Sequence, residues 1–454
     1  MTNEKTRLET PEDTGELIFK LGDRPPMHMA LFAAFQHLLA IFVPIITPPL
    51  IICSALGLDV RTTSDIVSMS LLISGVATAI QVAGKGGIGS GLLSVQGTSF
   101  TFVSTLINIG NAGGLPLIFG TCLLGSVVEI VFSRVIPVIR RLIPPLVSGI
   151  AVTLIGLSLI GAGIDSCAGG AAARAAGSYA ALKNLAIAAL VIVVIVLTNR
   201  SKHPLLRMSS ILLGIAAGYA VSSFLGWVQW KELGTLDWVA YPVPMRYGLK
   251  VTIGALIPMS MLYLVTSIET IGDITATSMV SGEPVKGPLY IRRISRGVLA
   301  DGLNSTLAAV FNTFPNTTFS QNNGIIRLTG IASRYVGFWI AGLLVLLGLS
   351  PRISGLFTIM PAPVLGGGTL IMFGTVAAVG IKMIAMTEMD RHALMVVALS
   401  LAAGFGVILN PGILTHLPAW GQHILGSGVV TGSLEAFISN LLLRGDSRSS
   451  EPLS

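Results

Sequence analysis

Apolar runs long enough to cross a membrane follow one another along almost the whole chain, separated by short polar loops. A membrane-spanning helix needs about 20 predominantly apolar residues, whereas a β-barrel strand shows about ten residues of alternating polarity. The pattern therefore predicts an all-α polytopic membrane protein. The uninterrupted segments lie near residues 29–54, 64–84, 115–133, 142–163, 180–199, 206–226, 251–271, 294–312, 335–349, 364–384, 391–408 and 420–443.

Two further segments, residues 93–110 and 315–332, are apolar but are broken by polar residues and glycine near their starts. Each follows two uninterrupted segments and precedes four, so the fourteen segments divide into two halves of seven. Halves with an odd number of spans insert with opposite topology. Inverted repeats with broken helices at corresponding positions are typical of secondary transporters, whose substrate site lies near the membrane midplane.

Composition agrees with this class. The 454 residues are 52% hydrophobic and 11% charged, with a mean hydropathy of +0.81, whereas soluble domains carry about 25% charged residues. The first 26 residues are polar and predict a soluble tail without a signal peptide. Cys53, Cys122 and Cys167 show no disulfide or metal-binding spacing, and we expect them to pack as small apolar residues.

The net charge of +7 arises from basic residues in short loops beside apolar segments, which indicates membrane orientation rather than nucleic-acid binding. These loops fall on the side of both termini, so we expect the termini and the basic loops to face the cytoplasm. The residues are Arg134, Arg140, Arg141, Arg200, Lys202, Arg207, Lys286, Arg292, Arg293, Arg296 and Arg391.

Three adjacent amides, Gln321, Asn322 and Asn323, occur in the second broken segment. An amide that lacks hydrogen-bond partners in hydrocarbon costs several kcal/mol, on the order of 2–7. A half-helix that begins at mid-membrane points free N–H groups and the positive end of its dipole at whatever binds there. We therefore expect the amides to face a substrate cavity; the alternative is that they tie helices together.

Ionisable residues inside spans are costly and normally mark an ion or substrate path. In the span 251–271 and just beyond it, Thr266, Glu269, Asp273 and Thr277 recur at helical spacing, which predicts one polar face. Glu269 is predicted to be functional, whereas Asp273 either contributes to the site or caps the following turn.

The next span places Asp301 on one face with Asn304 or Ser305 and with Asn312. We expect Asn304 and Ser305 to hydrogen-bond the Asp301 carboxyl group, which suits a proton site. His37 in the first span is either a site residue or a structural one. Glu129, near Arg134, is interpreted as interfacial.

The stretch QNNGIIRLTG (residues 321–330) resembles the signature motif of the nucleobase–ascorbate transporter family, also called nucleobase:cation symporters type two. The stretches FQHLL, QGTSF, SIETIGDITATS and VLADGLNS support the resemblance, which extends from about Leu17 to Leu443 in matching order. The Gln-Asn-Asn-Gly stretch with a histidine in the first span is similar to the bacterial xanthine permeases rather than to the uracil branch.

The resemblance implies short β-strands in the broken segments, a core domain and a gate domain. The division is a cytoplasmic tail at 1–26, the core at 27–133 and 248–350, the gate at 134–247 and 351–443, and a cytoplasmic tail at 444–454. It also implies a multi-pass protein of the bacterial cytoplasmic (inner) membrane, a homodimer, and proton symport of xanthine with no cofactor beyond the co-transported proton.

The candidate site residues form two groups, and the resemblance implies roles for Glu269, Gln321, Asp301, Asn322 and His37 among them. Glu269 and Gln321 hold the purine, near Ser99 and Asn322, and Phe100 and Phe319 are positioned in the sequence to flank the flat ring. Residues for proton coupling or site integrity are Asp301, His37, Asp273, Asn323, Gly324 and Thr329.

Other functions remain as alternatives at this point. Uric acid, uracil or another purine are competing substrates of the same mechanism. A channel would need a ring or filter of repeated polar groups, and an intramembrane enzyme would need a nucleophile with a base or metal ligands; no HExxH or GxSxG motif occurs. The asymmetric pair of broken segments favours a transporter.

Overall fold

The computed structural model describes residues 17–139, 145–418, 421–422 and 425–443. Most of the predicted N-terminal tail, the predicted C-terminal tail at 444–454, and Arg140 and Arg141 of the basic loop lie outside the described residues. Within those ranges the chain is mainly helical, and one two-stranded sheet is present. The helices are α1 (Met27–Ala55), α2 (Val60–Ala83), α3 (Val103–Ile139), α4 (Pro145–Cys167), α5 (Gly170–Ala175), α6 (Leu182–Asn199), α7 (Pro204–Met208), α8 (Ser210–Phe224), α9 (Trp230–Leu233), α10 (Ile253–Val280), α11 (Gly287–Val310), α12 (Gln321–Thr329), α13 (Arg334–Gly348), α14 (Pro351–Thr358), α15 (Ala362–Ala385), α16 (Arg391–Leu409) and α17 (Gly428–Leu442).

Among the described residues, eight helices are long and apolar enough to cross a membrane, and the pair α13 and α14, bent by 77°, makes a ninth if it is one span. The apolar helices α8 and α17 are shorter. Helix α3 joins the helical part of one broken segment to the next predicted span across Gly114, whose φ of 69° and ψ of −168° break the helix. Glycine tolerates this backbone because it has no Cβ. The predicted class, a polytopic and mainly helical membrane protein, is confirmed.

Two boundaries differ from the sequence prediction. Helix α10 continues past residue 271 to Val280, so Asp273 lies inside the helix and does not cap a turn. Helix α11 ends at Val310, and Asn312 lies beyond it with a φ of 60° and donates from Nδ2 to the Val243 carbonyl at 2.6 Å. Its predicted place on the polar face of α11 is therefore wrong. The short polar side chain of asparagine tolerates this left-handed backbone, which ends the helix.

The two strands lie in the broken segments, where the resemblance implies them. Strands β1 (Gln96–Thr98) and β2 (Asn316–Thr318) pair antiparallel, with Gln96 opposite Thr318. Main-chain bonds extend the pairing on both sides, from Ser99 N to Pro315 O at 2.9 Å and from Phe319 N to Val95 O at 3.0 Å. The sheet therefore fixes the starts of the helices after it relative to each other.

The helices pack in two groups. One contains α1, α2, α3, α10, α11, α12 and α13 together with the sheet, and the other contains α4, α6, α8, α15, α16 and α17. The groups meet beside the sheet, where the Phe100 ring contacts Phe373 of α15 edge-on at a centroid distance of 5.6 Å. Ser148 of α4 also donates to the Ile268 carbonyl of α10 at 3.4 Å.

The closest helix packing involves small residues. In the α4–α15 pair, a Cβ added to Gly380 would lie 2.3 Å from Thr153 N and 2.8 Å from Gly149 O, both main-chain atoms. Cys53, Cys122 and Cys167 are free and buried in helices, as expected for small packing residues. Close approach of helix backbones through small residues is typical of membrane proteins.

We expect Gly380→Val to destabilise the protein by about 1–3 kcal/mol, since the new side chain meets main-chain atoms that cannot move away independently. Thermal unfolding of the purified variant in detergent measures the effect. Gly374→Val is the matched control on the same helix, because a Cβ at Gly374 meets no atom within 4 Å. Equal melting temperatures for the two variants would contradict the close packing of α4 and α15.

Candidate functional site

Helix α12 begins directly after strand β2 and one residue pair, Phe319 and Ser320. It is nine residues long and is followed by Gly330, which has a φ of 67°. The hydroxyl of Thr329 donates to Ile325 O at 2.8 Å and accepts from Ile331 N at 3.2 Å. The structure therefore places Thr329 at the C-terminal end of α12, where its hydroxyl bonds only the main chain among the described residues.

The three amides of α12 have different surroundings. Asn322 is completely buried, donates to the Leu93 carbonyl and lies beside the ring of His37, which is also completely buried. Asn323 accepts a hydrogen bond from Thr277 of α10 at 2.7 Å. Gln321 is only partly buried. Asn322 and Asn323 therefore tie α12 to its neighbours, whereas Gln321 is more exposed than either.

The predicted polar residues of α10 contact the sheet and the helices that follow it. Glu269 accepts from the Thr101 hydroxyl at 3.2 Å, and Asp273 accepts from the Thr318 hydroxyl at 3.0 Å. Asp273 is buried, whereas Glu269 is partly exposed. Glu269 is therefore the more exposed of these two acidic residues.

Asp301 of α11 is completely buried. Its two carboxylate oxygens accept hydrogen bonds from the Thr270 hydroxyl and, at 3.4 Å, from the Gln81 amide. Thr270 is also 3.3 Å from the Thr317 hydroxyl of β2. Asp301 is thus connected to both α10 and the sheet through one threonine.

The predicted partners of Asp301 are wrong. Asn304 donates to the Ala77 carbonyl at 3.4 Å, and Ser305 bonds the main chain of Asn316 at 3.2 Å in both directions. These two side chains therefore hold α2 and β2 against α11. Gln81, which sequence reasoning did not single out, takes their place beside the carboxylate.

The interpretation of Glu129 in α3 as an interfacial residue is also wrong. Glu129 is 1% exposed and accepts a hydrogen bond from the Ser267 hydroxyl of α10 at 3.3 Å. The nearby Arg134 suggested a span end, but α3 continues to Ile139. The available signal was the helical spacing of Ser126, Glu129 and Ser133, which places three polar residues on one face.

The remaining predicted residues lie directly after the strands β1 and β2 or in α12. Phe100 and Phe319 are both buried, and the Phe319 ring packs so closely on Gly97 that a Cβ there would lie 2.6 Å from it. Ser99 is buried after β1, and its hydroxyl accepts from Thr101 N at 3.3 Å. Gly324 is exposed, and a Cβ added to it would meet no atom within 4 Å. Each therefore has a distinct environment, and only Gly324 opens onto free space.

Solved structures of membrane transporters share this fold. The overall structure of SLC26A9 matches with a TM-score of 0.62 and 10% identity, over 92% of this chain and 66% of that chain. The transmembrane domain of the cyanobacterium bicarbonate transporter BicA matches with a TM-score of 0.55 and 13% identity, over 93% of this chain and all of that domain. The chain thus has the same fold as these two structures.

Sequence comparison then gives the family. The model described as "Permease family" matches residues 28–413, and the chain belongs to this family, the nucleobase–ascorbate transporters. It is 49% identical to xanthine permease XanP and 42% identical to xanthine permease XanQ, both of Escherichia coli strain K12, over 97% and 95% of this chain and 98% and 95% of the relatives. It is 34% identical to uric acid permease PucJ of Bacillus subtilis, over 90% of this chain and 91% of the relative. The protein is a transporter and not an enzyme.

Proposed function

We propose that the protein imports xanthine across the bacterial cytoplasmic membrane together with a proton, by alternating access. The observation that carries this proposal is the partly exposed Glu269, placed by Thr101 beside a short sheet and a half-helix, with Asp301 completely buried behind it. One carboxylate is accessible to a ligand and another is enclosed, which suits separate substrate and proton sites. The two xanthine permeases among the relatives support the substrate.

Uptake of labelled xanthine by cells that express the chain and lack their own purine carriers tests this function. We expect saturable accumulation that a protonophore abolishes. Accumulation that persists without a proton gradient would contradict symport, and linear, unsaturable uptake would favour a channel.

Uric acid is the second candidate substrate, because uric acid permease PucJ is also a relative. It shares a carbonyl and N–H edge with xanthine, so it can use the same hydrogen-bonding groups. Competition of unlabelled uric acid, uracil and other purines against xanthine uptake ranks them. We expect xanthine to compete most strongly; stronger competition by uric acid would reverse the assignment.

Fourteen segments in two inverted halves are the architecture that we infer. The packing of helices between the two halves supports it. Helix α3 of the first half packs on α11 of the second, and α13 of the second half packs on α2 of the first. Helix α4 packs on α15. In each of these pairs, one helix comes from each half. The helix group that contains the sheet then corresponds to the core domain (27–133 and 248–350), and the other group to the gate domain (134–247 and 351–443).

The core would move against the gate to expose the site to either side, with both termini and the basic loops in the cytoplasm. We further infer a homodimer. Helices α6 and α16 leave most of their apolar residues unburied, so they face lipid or a second copy. Light scattering of the purified protein, corrected for detergent, distinguishes a dimer from a monomer.

In the proposed site, Glu269 and Gln321 bind one edge of the purine. An ionised carboxylate accepts two N–H bonds, and an amide offers one donor group and one acceptor, which together match alternating N–H and carbonyl groups. Phe100 and Phe319 lie close to the strand ends and would contact the ring faces. Ser99 and Asn322 shape the pocket from the two half-helices.

The proton site in this proposal is Asp301, linked to the substrate site through Thr270. His37, Asp273 and Asn323 support the site structurally, since they fix α12 and the sheet to α1 and α10. Gly324 would keep the path along α12 open, and Thr329 would hold the end of that helix.

Gln321→Glu tests the amide. We expect xanthine affinity to fall about tenfold or more, because the carboxylate has lost the N–H donor that pairs with a purine carbonyl. Expression should stay near the wild-type level, since Gln321 is partly exposed. Uptake kinetics with a competition panel, beside immunoblots of membrane fractions, measure both. Lost expression with unchanged selectivity would instead indicate that Gln321 ties helices together.

A further inference from the structure

A cavity of about 140 Å³ lies where α2 leads into the glycine-rich segment 84–91 and α11 begins. It is separate from the purine site. Its lining includes Gly84, Gly89 and Gly91 on one side and Arg292, Arg293, Arg296 and Arg334 on the other. Four arginines therefore converge on a cavity whose other wall is mainly glycine.

Most of this positive charge is uncompensated. Arg293 pairs with Glu283 at 2.7 Å. Within the described ranges, no carboxylate oxygen lies within 4.0 Å of the guanidinium groups of Arg292, Arg296 or Arg334. Like charges around one cavity repel each other, so a bound anion would lower the free energy of the folded protein. Guanidinium groups bind phosphate oxygens in a bidentate manner.

The glycine wall is rigidly placed. Gly89 has a φ of 87°, and a Cβ there would lie 2.4 Å from Ile80 O, so only glycine fits. Its N–H donates to Arg296 O at 2.9 Å, and Gly91 N donates to Gln81 O at 3.0 Å. The segment is thus attached to both α11 and α2. The absence of side chains on this wall leaves room for a ligand.

The geometry points to a phosphate-binding site in this cavity. Its ligand carries a phosphate group, either in the headgroup of an anionic phospholipid or as a soluble phosphate. By the charge distribution of the loops, this end of the core faces the cytoplasm, where basic pockets between membrane helices bind anionic headgroups. A cavity of about 140 Å³ accommodates a phosphate group but not a large ligand.

The site is connected to Asp301 by one residue. The Gln81 side chain accepts from Ser90 N at 3.2 Å and donates to Asp301 at 3.4 Å. A phosphate that fixes Arg296 and segment 84–91 therefore also fixes the glutamine beside the Asp301 carboxylate. This step rests on the proposed function, because it predicts that the ligand changes the rate of proton-coupled uptake.

Binding is tested first, without transport. Melting temperatures of the full-length protein are measured in neutral detergent with sodium phosphate or with sodium chloride of equal ionic strength. They are measured again in phosphatidylcholine vesicles with and without phosphatidylglycerol. We expect the melting temperature to rise in phosphate, in phosphatidylglycerol or in both, and the arm that responds identifies the source of the ligand.

A double variant with Arg292→Gln and Arg296→Gln should need about tenfold or more ligand for the same rise in melting temperature, because charge-assisted hydrogen bonds are lost. The control combines Arg200→Gln with Arg391→Gln, two exposed arginines outside the cavity, and should respond like the wild type. If the double variant proves unstable, Arg296→Lys is tested in its place. This variant keeps the charge and should retain part of the rise in melting temperature.

The inference is overturned if neither ligand raises the wild-type melting temperature, or if the cavity variant and the control respond equally. If phosphate binds but does not change the rate of xanthine uptake, only the connection to Asp301 is contradicted. Failure of xanthine uptake itself would remove the proposed function and leave the binding result unaffected.

Discussion

Glu269→Gln is expected to abolish measurable xanthine binding, with a loss of affinity of about 100-fold or more. A neutral amide cannot accept two N–H bonds as a carboxylate does, and hydrogen bonds to charged groups contribute about 1.5–3 kcal/mol each. The fold should be preserved, because glutamine has the same shape and can still accept the hydrogen bond from Thr101. Calorimetric titration of the purified variant with xanthine measures the loss.

Glu435→Gln provides the matched control for this experiment. Glu435 is a partly buried glutamate of α17 that accepts from the Ser439 hydroxyl at 2.6 Å, in the other helix group. Its variant should bind xanthine like the wild type. Unchanged binding by Glu269→Gln would remove Glu269 from the substrate site.

Asp301→Asn is expected to separate binding from accumulation. Asparagine resembles a permanently protonated acid and fits the buried position, where Thr270 and Gln81 hydrogen-bond the side chain. Xanthine binding should therefore persist, within about tenfold of the wild type. Accumulation against a gradient should stop, because the side chain can no longer take up and release a proton.

Paired measurements on the same preparation decide between the two roles. Calorimetry gives the binding constant, and proteoliposomes with an imposed pH gradient give the accumulation ratio. If Asp301→Asn loses binding while Glu269→Gln keeps it, the roles of the two carboxylates are exchanged. If Asp301→Asn still accumulates xanthine in response to the pH gradient, the proton is carried elsewhere, and Glu129 is the next buried carboxylate to test.

The sequence predicted the features that depend on local pattern. Long apolar runs predicted a polytopic helical protein, and the amides at 321–323 predicted the start of a helix, which begins at Gln321. The spacing of Glu269, Asp273 and Thr277 predicted a shared face, and their contacts with Thr101, Thr318 and Asn323 agree with it. These predictions rest on helix geometry, which the chain carries in its own periodicity.

Partners across the fold were less predictable, because sequence spacing shows only which residues share a helix. Asn304 and Ser305 share a face with Asp301, yet they bond α2 and β2, while Asp301 bonds Gln81, 220 positions away. Glu129 was missed for a different reason. The charged neighbour Arg134 suggested a span end, although α3 continues through the apolar residues 135–139.

The pairing of β1 with β2 also limits which changes of sequence the proposed site can accept. Side chains alternate between the two faces of a strand, so inserting or deleting one residue in either strand exchanges the faces of all residues beyond it. With three residues a strand, such a change would displace Ser99 or Gln321 together with the helix that follows. In the proposed site, a side-chain replacement at Ser99 or Gln321 would therefore leave the sheet intact, whereas a change of strand length would move the backbone on which both residues depend.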